Sequence, residues 1–275
     1  MLRSLFLATL FLLLAAPRPP ANAAGDPAEA GRQILERNQN AVVTVKLVVN
    51  YRMSFGGHEQ KSESKSETIG TVIDPAGLTV ISLSAIDPSA TVEELFSRQM
   101  RRNGQKADFK IDSDVTDLKL VLANGTELDS IVVLRDKDLD LAYIRPKTKP
   151  KDALTHVDLA GDPTAKVLEE VVTIYRLGKV ANRVPTVSLE RINAIVDRPR
   201  LFYVLGPGQG SSAVGSPVFR VDGKLLGIVL IRTLAPEGDA NFSAMFSGPS
   251  SLGLLPIIVP TADIRDGAKQ TAETK

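Results

Sequence analysis

The sequence predicts an all-β protein: two six-stranded antiparallel β-barrels preceded by a short N-terminal helix. Three observations predict it. From residue 41 onward the chain is a succession of short runs rich in Val, Ile and Leu, separated by turn residues at regular spacing. Hardly any later stretch keeps a long helical period. A Pro- and Lys-rich segment, PKTKPKDA from Pro146, divides these runs into two halves of similar habit and reads as a linker over 147–154.

Composition narrows the chemistry. The 275 residues carry 33 Lys+Arg against 32 Asp+Glu, two His and no Cys, with 43% hydrophobic and 24% charged residues. Without cysteine there is no disulfide framework, no thiolate ligand for zinc or an iron–sulfur cluster and no thiol nucleophile. Neither histidine has a second metal-type residue at ligand spacing, so no metal and no cofactor is expected. The balanced charge also argues against a dedicated nucleic-acid binder or a disordered tail, either of which shows a strong bias.

The first 23 residues read as a signal peptide rather than as part of the fold. Arg3 supplies the positive start, Leu5 to Ala16 the apolar run, and Ala21-Asn22-Ala23 the small residues of a cleavage site near Ala23 or Ala24. The run is shorter than the roughly 20 residues a membrane span needs. Export to the periplasm or the extracellular space is therefore expected. Without Arg3 and Arg18 the basic count is 31 against 32 acidic residues, which gives no attraction to polyanions.

Residues 24–40 hold the helix, amphipathic through about Arg37 with Ala28, Ile34 and Leu35 on its apolar side. The first barrel is expected over 41–146. It opens with the β run at Val42 to Val49, followed by a polar hairpin arm over 53–66. ETIGTVID and LTVIS then flank Pro75-Ala76-Gly77, where Pro second and Gly fourth suit a type I turn. Residues 91–113 are mixed and charged and read as a solvated excursion, with a possible basic patch of Arg98, Arg101, Arg102, Lys106 and Lys110. DLKLVLANGTELDSIVVLR places Asn124-Gly125, a strong hairpin signal, between two alternating runs, and LAYIRP closes the half. The second barrel is expected over 155–265, with strands in VLEEVVTIYRLG, TVSLERINAIVD, RLFYVLG, SPVFRVDGKLLGIVLI around Asp222-Gly223, and SLGLLPIIVP. A tail over 266–275 ends the chain.

Four of these segments together resemble trypsin-like serine proteases of the HtrA type. GTVIDPAGLTVISLSAI is similar to the family's strand, turn and strand ending in Thr-Asn-Ala-His-Val. DLKLVLANGTELDSIVVLRDKDLDLAYIRP is similar to its hairpin followed by Asp-x-x-x-Asp-Leu-Ala, with Asp136, Asp140, Leu141 and Ala142 matching residue for residue. VGSPVFRVDGKLLGIV resembles the segment that carries the nucleophile, Gly-Asn-Ser-Gly-Gly-Pro-Leu-Phe, and the strand pair after it. SLGLLPIIVPTADI resembles the closing strand. The resemblance covers about residues 40 to 265. It implies the chymotrypsin fold with a substrate cleft between the barrels, and, since the chain stops near residue 275, no PDZ domain.

Three positions depart from the pattern. Ser84 falls where the resemblance puts the catalytic histidine, Val214 where it puts the nucleophile and Ser216 where it puts the second glycine; of the triad, Asp140 alone is retained. A hydroxyl must attack and an imidazole must take and return its proton, so an aspartate by itself has nothing to orient. The space beside Asp140 is expected to hold water or a hydrogen bond from Ser84, because an unpaired buried carboxylate is costly. Rescue candidates are Ser211 and Ser212 as displaced nucleophiles and His58 as a base; His156 opens the second barrel on a segment that usually faces away from the cleft. The oxyanion position would be shaped by Ser212, Ala213 and Val214. GPGQG has no following helix and no Lys-Ser/Thr, so it is a weak match to a phosphate loop.

The sequence thus points to an exported pseudoprotease that binds a peptide or protein between its barrels. Two alternatives stay open: an active serine endopeptidase with a rebuilt site, and a structural or assembly partner of an active homologue in the envelope. A homo-oligomer is possible, through the helix at 27–37 if the resemblance holds.

Overall fold

The computed structural model of the chain describes residues 26–89, 92–93, 96–97, 100, 109–206, 213–233 and 254–273. The expected signal peptide, Arg98, Arg101, Arg102 and Lys106, and the rescue candidates Ser211 and Ser212 lie outside the described residues.

Helix α1 runs Pro27–Asn38. Proline begins it with φ already set, and Asp26 caps it, its carboxylate accepting the Ala28 N–H at 3.0 Å. Gly31 and Ile34 form its buried side. The first barrel is built from β1 (Val42–Phe55), β2 (His58–Val72), β3 (Thr79–Ser82), β4 (Phe109–Val121), β5 (Glu127–Asp136) and β6 (Leu141–Pro146), closed in the order β1-β2-β3-β6-β5-β4. The second uses β7 (Glu170–Arg176), β8 (Pro185–Val196), β9 (Phe202–Leu205), β10 (Pro217–Arg220), β11 (Leu225–Thr233) and β12 (Leu254–Pro260), closed as β10-β11-β12-β9-β8-β7. Every neighbouring pair is antiparallel, so the fold is the two six-stranded barrels expected.

Local chemistry sets the turns. Asp74 accepts the Gly77 N–H at 3.1 Å around Pro75, as the type I pattern requires. The hairpins at Asn124-Gly125 and Asp222-Gly223 share one design. In each, the glycine alone adopts positive φ (82° and 84°) and donates three residues back, to Leu122 and Arg220, at 2.9 Å. These are type I turns closed by a left-handed glycine rather than two-residue turns.

Two expectations are corrected. The excursion over 91–113 ends early, because β4 already begins at Phe109. Residues 266–273, expected to be part of a tail, belong instead to helix α2, Thr261–Glu273, which starts inside the expected second barrel. Tyr143 on β6 is fully buried and donates its hydroxyl to the Ile264 carbonyl of α2 at 2.9 Å. Gly267 makes room for that ring, since a Cβ there would lie 2.2 Å from the Tyr143 hydroxyl oxygen. Tyr143→Phe is expected to lose about 1 kcal/mol in urea unfolding, with the amides of α2 showing the largest gain in hydrogen exchange.

The core has three parts. One fills the first barrel around Val45, Leu120 and Ile144, and one fills the second around Ile192, Tyr203 and Val229. The third lies between the barrels and takes in both helices through Ile34 and Ile264. Strands at this junction are therefore buried on both faces: Val80 faces the shared core and Ile81 the first barrel, while Ile228 and Leu230 face the shared core and Val229 the second barrel. That is why LTVIS and LLGIVLI read as unbroken apolar runs instead of alternating ones.

Candidate active site

The junction of the barrels carries a half-buried carboxylate, that of Asp140. Asp140 sits just before β6 in the left-handed region, φ 56°, a conformation that Asp tolerates better than most residues. It is delivered there by an Asx turn: the Asp136 carboxylate accepts the N–H groups of Asp138 at 2.9 Å and Leu139 at 3.1 Å, and the Leu139 side chain is buried. Pairing of Ser82 with Leu141 brings the end of β3 alongside, and Leu83 donates its N–H to the Asp140 carbonyl at 2.8 Å.

Four donors converge on the Asp140 carboxylate. The Ser82 hydroxyl reaches Oδ2 at 2.5 Å, and Ser84, in the short turn Leu83–Ala85, gives Oδ1 both its N–H at 2.8 Å and its hydroxyl. The backbone N–H of Ile231, on β11 of the second barrel, supplies the fourth. Burial pushes the Asp140 carboxyl above its ordinary value, and the Ser82 and Ser84 hydroxyls and the two N–H groups pull part of the way back. Ser84 thus makes the hydrogen bond the sequence left open to it or to water. Ser82 and Ile231 were not foreseen; two serines interrupting the apolar run LTVISLSAI were the available signal for Ser82, whereas Ile231 reaches the site only through the contact of the barrels.

The segment carrying Val214 is fixed as tightly. Gly215 adopts φ 90°, donates its N–H to Val229 at 2.7 Å and accepts the Thr71 hydroxyl on its carbonyl at 2.7 Å. A Cβ on Gly215 would stand 2.1 Å from the Ile69 carbonyl oxygen, so glycine alone permits this approach to the first barrel. Ser216 donates its N–H to Ala213 at 2.9 Å, and its own hydroxyl is buried without a partner among the described residues. Val214 itself lines a depression of about 260 Å³ between the barrels, with Thr44, Glu67 and Ile69 on one side and Arg176 and Gly178 on the other. Glu67 is bound by the Arg183 guanidinium, Nε to Oε2 at 3.0 Å, which holds its carboxyl below the usual range. Arg176 is spent on carbonyls, donating to Val42, Gln39 and Arg183.

Neither histidine is brought to Asp140. His58 pairs with Phe55 at the tip of the β1–β2 hairpin and is exposed. Twelve residues of strand lie between it and Thr71, on the order of 40 Å. His156 is exposed and its Nδ1 lies 3.0 Å from the Leu154 carbonyl oxygen. Of the residues expected to shape the oxyanion position, Ala213 is buried and Val214 half-buried, and Ser212 lies outside the described residues. Among the described residues no cluster of three or more His, Cys, Asp or Glu side chains could hold a metal ion.

Chemically, the described groups around Asp140 act as hydrogen-bond donors to a carboxylate. The donors around Asp140 are hydroxyls and amides, none of which can take a proton from a nucleophile and pass it to a leaving group near neutral pH. The valine offers no lone pair. The depression beside it mixes polar and charged groups, Thr44, Glu67, Thr68 and Arg176, with the apolar Ile69, Leu177 and Val214.

Residues 69–228 match the model of the trypsin-like peptidase domain. A search of the curated proteins found no match. The matched stretch runs from the end of β2, through Ser82, Ser84, Asp140 and Val214, into β11, so it takes in strands of both barrels and most of the residues around Asp140. With more than half of its length matched, and with its two closed barrels meeting at Asp140, the chain belongs to the trypsin-like peptidase domain family.

Proposed function

We propose that the protein is an exported pseudoprotease of the HtrA type, which has kept the inter-barrel cleft of a trypsin-like peptidase and uses it to bind an extended peptide or protein segment. The observation that carries this reading is the filled environment of Asp140: Ser82, Ser84 and Ile231 take the positions around the carboxylate, and the chain's two histidines are elsewhere. A triad aspartate whose hydrogen bonds are already satisfied by serines has no imidazole to hold. Removing the serine or the histidine of such a triad costs roughly a millionfold in turnover. Recognition of an extended chain is a separate matter, because it rests on strand addition to a cleft edge and does not need the triad.

Labelling with a fluorophosphonate probe, read by intact mass, tests this. The native protein is expected to stay unlabelled, and the Ser84→His, Val214→Ser double variant to take up one adduct. An adduct on the native protein overturns the reading and assigns the chemistry to a displaced hydroxyl such as Ser211 or Ser212.

A further inference from the structure

The distal part of β2 is an open sheet edge with an ordered pattern of charge. Over residues 58–70 β2 has β1 on one side, while β3 joins its other side only at Thr71 and Val72. No strand among the described residues covers the rest. Gly56 and Gly57, at φ 55° and 81°, form a two-residue turn that makes Phe55 and His58 a hydrogen-bonded pair. Even-numbered residues of β2 therefore direct their N–H and C=O groups at β1, and odd-numbered residues direct theirs at the open edge. The register to β1 is continuous from His58 to Thr71, so this parity holds along the whole arm, and odd-numbered Thr71 is where β3 begins to pair.

The odd positions read Glu59, Lys61, Glu63, Lys65, Glu67: charges of strictly alternating sign, all exposed and all on one face. Lys65 Nζ lies 3.2 Å from Glu63 Oε1 on that face. A single sign of charge would keep any like strand away, which is the usual protection of an edge. Alternation acts differently. In an antiparallel match of β2 with a second β2, a two-fold at Lys61 or Glu63 sets like charges opposite one another. A two-fold at Ser62 sets Glu59 against Lys65 and Lys61 against Glu63, each twice. A two-fold at Ser64 also matches charge, but it calls on Glu67, which Arg183 already holds. The far edge of β4 has no such code: Glu93 already takes the Ile111 N–H at 2.9 Å, and Lys110 stands in one stretch with three acids, Asp112, Asp114 and Asp117, so that two copies would repel.

We propose that two copies of this chain pair antiparallel through their β2 edges about a two-fold at Ser62, joining β4-β1-β2 of each into one six-stranded sheet. Backbone hydrogen bonds from the odd residues supply the attraction, and the four charge pairs select the register. The pairing leaves the cleft at Val214 free.

Sedimentation velocity on the purified protein tests it. A dimer is expected, weakening as salt is raised. Lys61→Glu with Lys65→Glu makes every facing pair like-charged and is expected to raise the dissociation constant at least about tenfold. Adding Glu59→Lys and Glu63→Lys exchanges the whole pattern and is expected to restore the dimer. Because the chain has no cysteine, Ser62→Cys gives a clean readout: mild oxidation is expected to cross-link it, and not Ser64→Cys. A native protein that stays monomeric, an exchanged variant that does not recover, or cross-linking at Ser64→Cys in place of Ser62→Cys each overturns the proposal.

Discussion

Asp140→Ala is expected to destabilise the protein by about 3–4 kcal/mol in urea unfolding. The alanine removes the acceptor of two backbone N–H groups, Ser84 and Ile231, that have no rotational freedom to find another. It also places an ordinary side chain at φ 56°. Asp140→Asn keeps one acceptor oxygen and tolerates the backbone, so a loss of about 1–2 kcal/mol is expected. The two variants also differ from each other in what pH does. Burial raises the folded-state Asp140 pKa above the unfolded one, so the contribution of the aspartate is fully present below the unfolded pKa and is lost as pH rises through the folded value. The native protein should therefore lose stability relative to Asp140→Asn as pH rises from the ordinary aspartate range through the raised value, and the difference should level off above it. Parallel pH profiles for the two proteins would show that burial does not govern this carboxyl.

Gly215→Ala is expected to cost at least about 3 kcal/mol, because its Cβ would meet a backbone oxygen, that of Ile69, and not a side chain that could swing away. Gly223→Ala separates the two causes. It too requires positive φ, 84°, but nothing lies within 4 Å of its Cβ, so only the left-handed penalty of about 1 kcal/mol applies. Unfolding midpoints of the two variants read the difference directly. Equal losses would mean that the contact between the Val214 segment and β2 is loose. In the Ser84→His, Val214→Ser background, Gly215→Ala should further abolish labelling, since it displaces the segment that carries the introduced serine.

Much of this architecture was legible where local chemistry decides it. Asp74 to Gly77, Asn124-Gly125 and Asp222-Gly223 each announce a turn because the backbone geometry there favours those residues, and the apolar runs between them have no other use. The pattern failed where side chains carry little apolar signal. The first half of β4 alternates through Phe109 and Ile111, but Ser113 and the intervening Lys110, Asp112 and Asp114 hide the period. Helix α2 offers little beyond Ile264 and Ala268 as an apolar stripe and places Gly267 at its centre, the residue least favourable to a helix short of proline. Its stability comes from docking on Tyr143, which no local window reveals. At the site, Asp140 was found through the resemblance, and Ser84 through its position in the same pattern. Ser82 needed the register of β3 against β6, and Ile231 needed the packing of one barrel on the other.

The barrels exchange backbone and side-chain groups in both directions. Ile231 of the second barrel completes the hydrogen bonds of an aspartate in the first, Thr71 of the first holds the Gly215 carbonyl of the second, and Arg176 of the second ties down the Val42 and Gln39 carbonyls. Parting the barrels even slightly would orphan these groups together, so the free energy of opening at the cleft approaches that of unfolding the molecule as a whole. The groove is thus a surface that is already set, and the peptide proposed to bind there would spend little of its interaction energy on ordering it.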